Sequence, residues 1–566
     1  MKITWKGLGL GVLLGLSLAP ALPAQEPFDL LIRGGRILDG TGNPWFQADV
    51  GVRGGRIAAV GRLEGSTARR IVDARGRMVA PGFIDMHSHA DDHFAGREPT
   101  GLRSPDPRRR AAPNVVAQGV TTVVVNQDGR SFWPIREQRA ALERLGAGPN
   151  VALMVGHGEV RRQVMGDDFA RAATPDEVSR MRALVRQAQE EGAWGLSAGL
   201  EYVPGRFSTT DEVAALAAEL VPFDGVYISH ERSEGSDPMW YWPSQDPAGP
   251  PTLLDAVQET IEIGRRSGAR VVASHIKAKG AHYWGSSGAA IQSIERARSE
   301  GVRVWADQYP YATSGSDGGT VLIPDWVFRA PAREEPDRTA ELERALAQES
   351  SAAQVRGDIA HEIRRRGGAD RVVVSDHPRA DFVGKSLAEI ATLLGQDPVE
   401  AALSLQRLGD PRRPGGGRVR GFSMSEIDVE AYAGRPWVAT ASDGGISLPE
   451  DGPNVHARYY GTFPRKIRHY AIERGVLSVE DAVRSMTSLP ARIMGLSDRG
   501  MIREGMVADL VVFDLGTIAD ASTFVEPHQY AQGIEWVVVG GVPVVEAGQL
   551  TWALPGRILT RGGGGH

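Results

Sequence analysis

Between residues 83 and 442 the chain alternates short, almost wholly apolar runs with longer stretches in which apolar positions recur every three to four residues. The short runs, 83–88, 121–126, 151–156, 194–200, 225–230, 270–276, 302–309 and 436–442, are rich in Val, Ile, Ala and Gly and read as strands buried on both faces. The stretches between them, such as 175–191, 209–220, 252–267 and 286–300, read as amphipathic helices. Eight strands alternating with helices predict an α/β fold, a (β/α)8 TIM barrel over residues 81–500, with its chemistry at the C-terminal strand ends. The gap before the last strand is too long for one crossover. It holds a charged helical pattern (338–366), an apolar run (371–376) and the loop DPRRPGGGRVRG (410–421), so an inserted subdomain is expected at about 325–430. The Gly/Arg loop is a candidate lid, the alternative being a loose surface excursion.

The two ends are patterned differently. Within 25–80, FDLLIRGGRILDG and ADVGVRGGRIAAVG each set a Gly-Gly pair between β-rich runs, a hairpin signal. Within 501–556, ADLVVFD (508–514) and IEWVVVGGVPVVEAGQL (534–550) repeat the grammar. Isolated hairpins are only marginally stable, so the two half-sets are expected to join in a small β-sandwich built from both termini. Lys2 and Lys6 ahead of an apolar stretch from Leu8 to Leu22, then Ala19, Ala21 and Ala24, read as a cleavable signal peptide over 1–24. That predicts an exported protein, periplasmic or extracellular, with no stable membrane span after cleavage. The tail 557–566 is expected to be disordered, and the arginine runs 108–110 and 364–366 read as solvated faces.

Composition narrows the chemistry. A formal net charge of −6 gives no footprint for nucleic acid. The absence of cysteine excludes disulfides, thiolate nucleophiles and cysteine-ligated metals, leaving His, Asp and Glu as donors. Such residues stand where the predicted strands end: His87 and His89 in FIDMHSHAD, His230 in YISHERSEG, His275 in VVASHIKAKG and Asp443 in WVATASDGG. His87 and His89, two apart on one strand, share a face. One histidine at a strand end is an ordinary polar residue, but five potential ligands on the functional rim predict a metal site.

With PGFIDMHSH, the later single histidines, the closing SDG and the flanking sandwich, the chain resembles the amidohydrolase superfamily of metal-dependent hydrolases. In GHGEVRRQVMG (156–166), GLSAGLEYVPG (195–205), SHIKAKG (274–280), YGTFPR (460–465) and the stretch 474–514 it resembles the D-aminoacylase (N-acyl-D-amino-acid deacylase) branch. That resemblance implies one or two Zn2+ or other divalent ions, with His87, His89 and Asp443 on the more buried ion and His230 and His275 on the second. Relatives of this branch commonly bridge the ions with a cysteine after the second strand, and other superfamily members with a carboxylated lysine on the fourth. Here the second strand ends TTVVVNQDGRS, with Asp128 in the cysteine's place, and the fourth carries no lysine. Glu201 is the rival bridge, and an Asx turn before Gly129 is the structural alternative for Asp128. A carboxylate bridge is a harder donor than a thiolate.

The chemistry such a site supports is hydrolysis by metal-activated water, with Asp443 as general acid and base. Lys277, two residues past His275 on the same face, is a candidate cation for a substrate carboxylate, or else a rim cap. The resemblance adds Tyr202 and either Tyr309 or Tyr311; Arg458 offers a second cation, and His157, at the third strand end, lies within reach of the pocket mouth. The implied activity cleaves the amide of small N-acyl-D-amino acids to a carboxylate and a free amino acid. A dipeptidase or cyclic-amide hydrolase is the near alternative. A catalytically inactive binding module is the distant one, disfavoured by the complete donor set. No motif specifies an oligomeric state.

Overall fold

Each apolar run forms a strand, because its side chains are covered on both faces: β1 (Phe83–Asp85), β2 (Val120–Val125), β3 (Asn150–Leu153, continued by Val155–Gly156), β4 (Gly195–Gly199), β5 (Val226–His230), β6 (Arg270–Ala273), β7 (Val304–Gln308) and β8 (Val438–Thr440). The computed structural model describes residues 1–3, 26–92, 99–328 and 336–561, so all but the first three residues of the expected signal peptide lie outside the described residues. Neighbouring strands pair in parallel and in chain order from β1 to β8. β1 and β8 meet just beyond their ends, where Ser88 pairs with Gly444 and His89 with Gly445. Ile84, Met86, Val124, Met154, Ile228, Val272 and Ala439 pack into one core, while Val123, Val125, Leu196 and Val271 pack with the helices in another. The intervening helices start where their caps say: Thr174 and Glu177 form a capping box for Pro175–Glu190, and Thr252 and Asp255 another for Leu253–Ser267.

Strands from both ends of the chain pair in one nine-stranded sheet. Leu510–Phe513 lies antiparallel to Met78–Pro81, with Leu510 opposite Pro81 and Phe513 opposite Met78. Two of the Gly-Gly pairs, Gly54–Gly55 and Gly540–Gly541, turn hairpins, whereas Gly34–Gly35 does not. It lies inside one strand, Phe28–Ile37, as a bulge where the register shifts between Ile32 and Gly35. Gly34 takes φ +69°, and a Cβ on Gly35 would overlap Val79. The bulge bends the strand so that Phe28–Arg33 pairs with Ala68–Asp73 and Arg36–Ile37 with Met78–Val79.

The segment before β8 is an ordered insertion with its own core of Leu342, Val355, Ile359, Phe382, Leu387, Leu403 and Val419, not a loose excursion. It closes earlier than 430: Val429 and Ala433 of the helix Glu426–Ala433 pack on Tyr470, outside the insertion's core. The loop 410–421 is no lid over the site. Asp410 N–H donates to Gly416 O, Arg413 pairs with Asp376, and Arg418–Gly421 is a strand against Val372–Asp376. The run 364–366 also departs from a solvated face. Arg365 and Arg366 are buried, Arg365 against Asp237 and Glu362 and Arg366 against Glu362 and Asp317, and so tie the insertion to the barrel loops.

The described part of the tail, 557–561, is not disordered; 562–566 lie outside the described residues. Ile558–Leu559 pairs in parallel with Val151–Ala152 at the lower part of β3, whose upper part pairs with β4. The Trp194 indole N–H donates to Leu559 O at 2.9 Å, and the Arg561 guanidinium lies 4.8 Å from the Trp194 ring. A glycine-rich ending suggests disorder, but the backbone groups of β3 left open by the β3–β4 divergence need partners, and the tail supplies them.

Candidate metal centre and active site

The strand ends bring the six predicted ligands, Asp128 among them, together. His87, His89, Asp128 and Asp443 form one donor group, and Asp128, His230 and His275 a second, with donor atoms in each within 4.8 Å of one another. Asp128 belongs to both. Its Oδ1 lies 3.4 Å from His87 Nε2, 3.6 Å from His275 Nε2 and 3.7 Å from His230 Nδ1, and its Oδ2 lies 3.5 Å from His89 Nε2. Asp443 Oδ1 is 2.9 Å from His89 Nε2 and 3.7 Å from His87 Nε2. Ligands ~2.0–2.2 Å from a tetrahedral ion stand roughly 3.3 Å apart, so these spacings match a shared cation site. His87 Nε2 and Asp128 Oδ1 are buried without a hydrogen-bond partner. Orphaned polar atoms 3.4 Å apart fit a metal, and the Arg130 N–H that an Asx turn at Asp128 would use donates to Gln127 O instead.

Local backbone geometry is part of the site. Asp128, His275 and Asp443 have φ of +57°, +35° and +48°, left-handed conformations costly for side chains and kept only where surroundings enforce them. Asp443 N–H donates to His87 O at 2.9 Å, locking the end of β8 onto that of β1, and Asp307 Oδ1 accepts His275 N–H at 2.7 Å.

Each histidine is also held from behind. His89 Nδ1 lies 2.8 Å from Asp92 Oδ1, His230 Nε2 3.0 Å from Glu201 Oε2, and His275 Nδ1 2.9 Å from the Nζ of Lys277, itself paired with Glu234, whose Oε1 is 3.2 Å from the same ring nitrogen. His87 Nδ1 meets Ser274 Oγ at 2.6 Å, and Ser274 in turn donates to Asp307. Such outer contacts fix which ring nitrogen faces an ion. They also settle the place of Glu201: one oxygen meets His230, the other accepts Met239 N–H at 2.6 Å, and the side chain lies behind His230 rather than between the donor groups.

Electrostatics divide the ligand histidines: against burial, the carboxylates around His89 and His230 push those imidazoles up, a tendency a divalent ion would oppose, whereas burial lowers His87 and His275. Burial, only partly offset by Asp128 and Asp443, keeps the His87 imidazole well below its ordinary value, in the neutral form a metal ligand needs. Against burial, the surrounding histidines hold the Asp128 carboxyl well below the usual range, and Arg458 with the histidines does so for Asp443. Burial pushes Asp85 and Asp307 up to about 7, a tendency that divalent charge alongside would oppose.

A cavity of about 320 Å³ opens over this centre, lined by Arg130, Tyr202, Lys277, Tyr309, Ser314, Arg458 and Tyr459 among others. Of Tyr309 and Tyr311, Tyr309 lines the wall; Tyr311 turns away, its hydroxyl near Ala457 O. Lys277 and Arg458 flank the Tyr309 ring at 5.3 and 4.6 Å. Lys277 is ion-paired with Glu234, and Arg458 Nη1 lies 3.0 Å from Asp443 Oδ2 with Nε unpartnered. His157 is not a cavity residue. It is fully buried, its Nε2 is 2.9 Å from Glu212, and Arg161 pairs with the same carboxylate, so its role is structural. Nothing in the residue pattern singles out Asp92, Glu234, Ser274 or Asp307; their only trace is closeness in sequence to a ligand or a strand end.

Comparison with known proteins identifies the family. Residues 70–545 match the family described as "Amidohydrolase family". The D-aminoacylase of Alcaligenes xylosoxydans xylosoxydans is 34% identical over 560 residues, 95% of this chain and 98% of the relative. The N-acyl-D-glutamate deacylase of the same organism is 35% identical over 95% of this chain and 97% of its own length. The structure of N-acyl-D-glutamate deacylase from Bordetella bronchiseptica, complexed with zinc and a phosphonate that mimics the tetrahedral intermediate, is 32% identical, with a TM-score of 0.71 over 94% of this chain and 100% of that one. The chain belongs to the amidohydrolase family, and within it to the D-aminoacylase branch.

Proposed function

We propose that this protein is a metal-dependent hydrolase that cleaves the amide of N-acyl-D-amino acids, releasing a carboxylate and a free amino acid. The observation that carries the reading is the double donor group sharing Asp128, at the floor of a cavity walled by Lys277, Tyr309 and Arg458. His87, His89 and Asp443 would hold one divalent ion, His230 and His275 a second, and Asp128 would bridge them, with zinc the ion seen in a relative. We read the strand ring as a (β/α)8 barrel and the terminal sheet as a bent sandwich; the chain-order parallel pairing and the bulge at Gly34–Gly35 support this.

When bound, such an ion supplies Lewis acidity to a carbonyl and lowers the pKa of water. Asp443, ionised and held by His89 and Arg458, is placed to take a proton from the attacking water at its carboxylate and hand it to the leaving nitrogen. Arg458, with Nε unpartnered, and Lys277 offer charge to the amino acid carboxylate. Glu234 pairs with Lys277 and Asp443 with Arg458, so each cation already has a carboxylate partner and Arg458 keeps Nε free for a substrate anion. Tyr309, buried between them with an unpartnered hydroxyl, offers a neutral donor.

The test is elemental analysis of the purified protein with hydrolysis of N-acetyl-D- and L-amino acids, dipeptides and cyclic amides. Zinc with D-selective amide cleavage is expected; turnover of only dipeptides or cyclic amides would replace this reading. Asp443→Asn should lower kcat by roughly 10²–10⁴-fold while zinc stays bound.

A further inference from the structure

The rear nitrogen of His87 reaches a carboxylate only through a serine hydroxyl. His87 Nδ1 lies 2.6 Å from Ser274 Oγ, and Ser274 Oγ donates to Asp307 Oδ2 at 2.8 Å. The other Asp307 oxygen accepts the backbone N–H of His275 at 2.7 Å, at a residue whose φ is +35°. His87, Ser274 and Asp307 are all fully buried. One carboxylate on β7 therefore touches both donor groups, His87 of the first through a hydroxyl and His275 of the second through its main chain.

We propose that Asp307 is a positioning residue shared by the two ion positions, setting the ring tautomer of His87 through Ser274 and clamping the left-handed backbone of His275. The inference rests on the metal centre proposed above. With the Ser274 hydrogen committed to Asp307, the serine oxygen has only lone pairs for His87, so His87 Nδ1 must donate. Its Nε2 then presents a lone pair toward Asp128 and Asp443. His275 cannot relax from its conformation without breaking its bond to the same carboxylate.

Three variants separate the two roles. Ser274→Ala removes only the relay. Asp307→Asn keeps the clamp, because the His275 N–H, a donor with no alternative, forces the amide oxygen toward itself. The amide NH2 then faces Ser274, Ser274 donates to His87 Nδ1, and the ring proton moves to Nε2. Both variants should hold one ion 10–100-fold more weakly and the other as in wild type, the range typical of outer-shell contacts. Asp307→Ala removes relay and clamp and should weaken both ions. The measurement is zinc retained per chain against a graded chelator, starting from purified zinc-loaded protein, with thermal unfolding to check the fold; should Asp307→Ala not fold, the near-isosteric Asp307→Leu takes its place. Weakening of only one ion in that variant would overturn the clamp. Wild-type affinity for both ions in Ser274→Ala and Asp307→Asn would overturn the relay alone. Wild-type protein that holds no zinc would overturn the metal centre and the relay together.

Discussion

Asp128 concentrates the single-residue question, because in a cysteine-free chain a bridge between the two donor groups would have no thiolate to use. Its Oδ1 faces three histidines, whereas Glu201 stands behind one of them. Asp128→Ala should weaken zinc binding by more than about tenfold and lower the zinc per chain, and Glu201→Gln should leave the stoichiometry intact with at most a graded loss of affinity. Equal stoichiometric losses by elemental analysis would refute the distinction. A second residue, outside the cavity lining, bears on stability against pH. Lys466 is buried, its ammonium donates to Ala433 O at 2.9 Å, and burial alone pushes its pKa down to about 7. Between about 7 and the ordinary lysine value the unfolded chain binds the proton and the folded chain does not, so this residue's contribution to stability rises with pH across that window. Urea unfolding of wild type and Lys466→Met should show the difference shifting in favour of wild type from pH 7 to pH 10. A pH-independent difference would show that the lysine stays charged.

At the scale of elements, the tail and the insertion are structural parts that their composition disguises. Ile558–Leu559 completes the lower edge of β3, and Arg561 covers Trp194 while donating to Trp194 O at 2.8 Å. Removal of residues 557–566 should lower the melting temperature by a few degrees by calorimetry without changing zinc content, since the tail lies at the strand ends opposite the site. An unchanged melting temperature would mean that the pairing contributes nothing. The insertion is anchored by Arg365 and Arg366 to Asp237 and Asp317, acids of the loops that also supply Met239 and Ser314 to the cavity.

For the whole molecule, the two ends of the chain are inseparable. Met78–Pro81 pairs on one side with Arg36–Ile37 and on the other with Leu510–Phe513, and Gly82 N–H donates to Asp509 O. The sheet thus ties the entry to β1 to the segment that follows the last helices. The export expectation also belongs at this scale. The mature protein recovered outside the cytoplasm should begin after Ala21 or Ala24 by intact mass. A full-length mass from the soluble cytoplasm would overturn it.

Most strands, the principal helices and five of the proposed ligands were legible in the sequence, because apolar period and strand-end position are local properties. The (β/α) alternation needs only covered faces, and His87, His89, His230, His275 and Asp443 stand at strand ends whatever their neighbours are. Tertiary structure decided what depends on approach from elsewhere in the chain. Gly34–Gly35 became a bulge because Val79 packs against it, Arg365 and Arg366 were buried because Asp237, Asp317 and Glu362 neutralise them, and His157 was claimed by Glu212. Asp307 and Ser274 show the same limit within the site. Pattern marks the residue types that bind an ion, but the groups that aim them come from neighbouring strands, and only strand pairing brings those within hydrogen-bond reach.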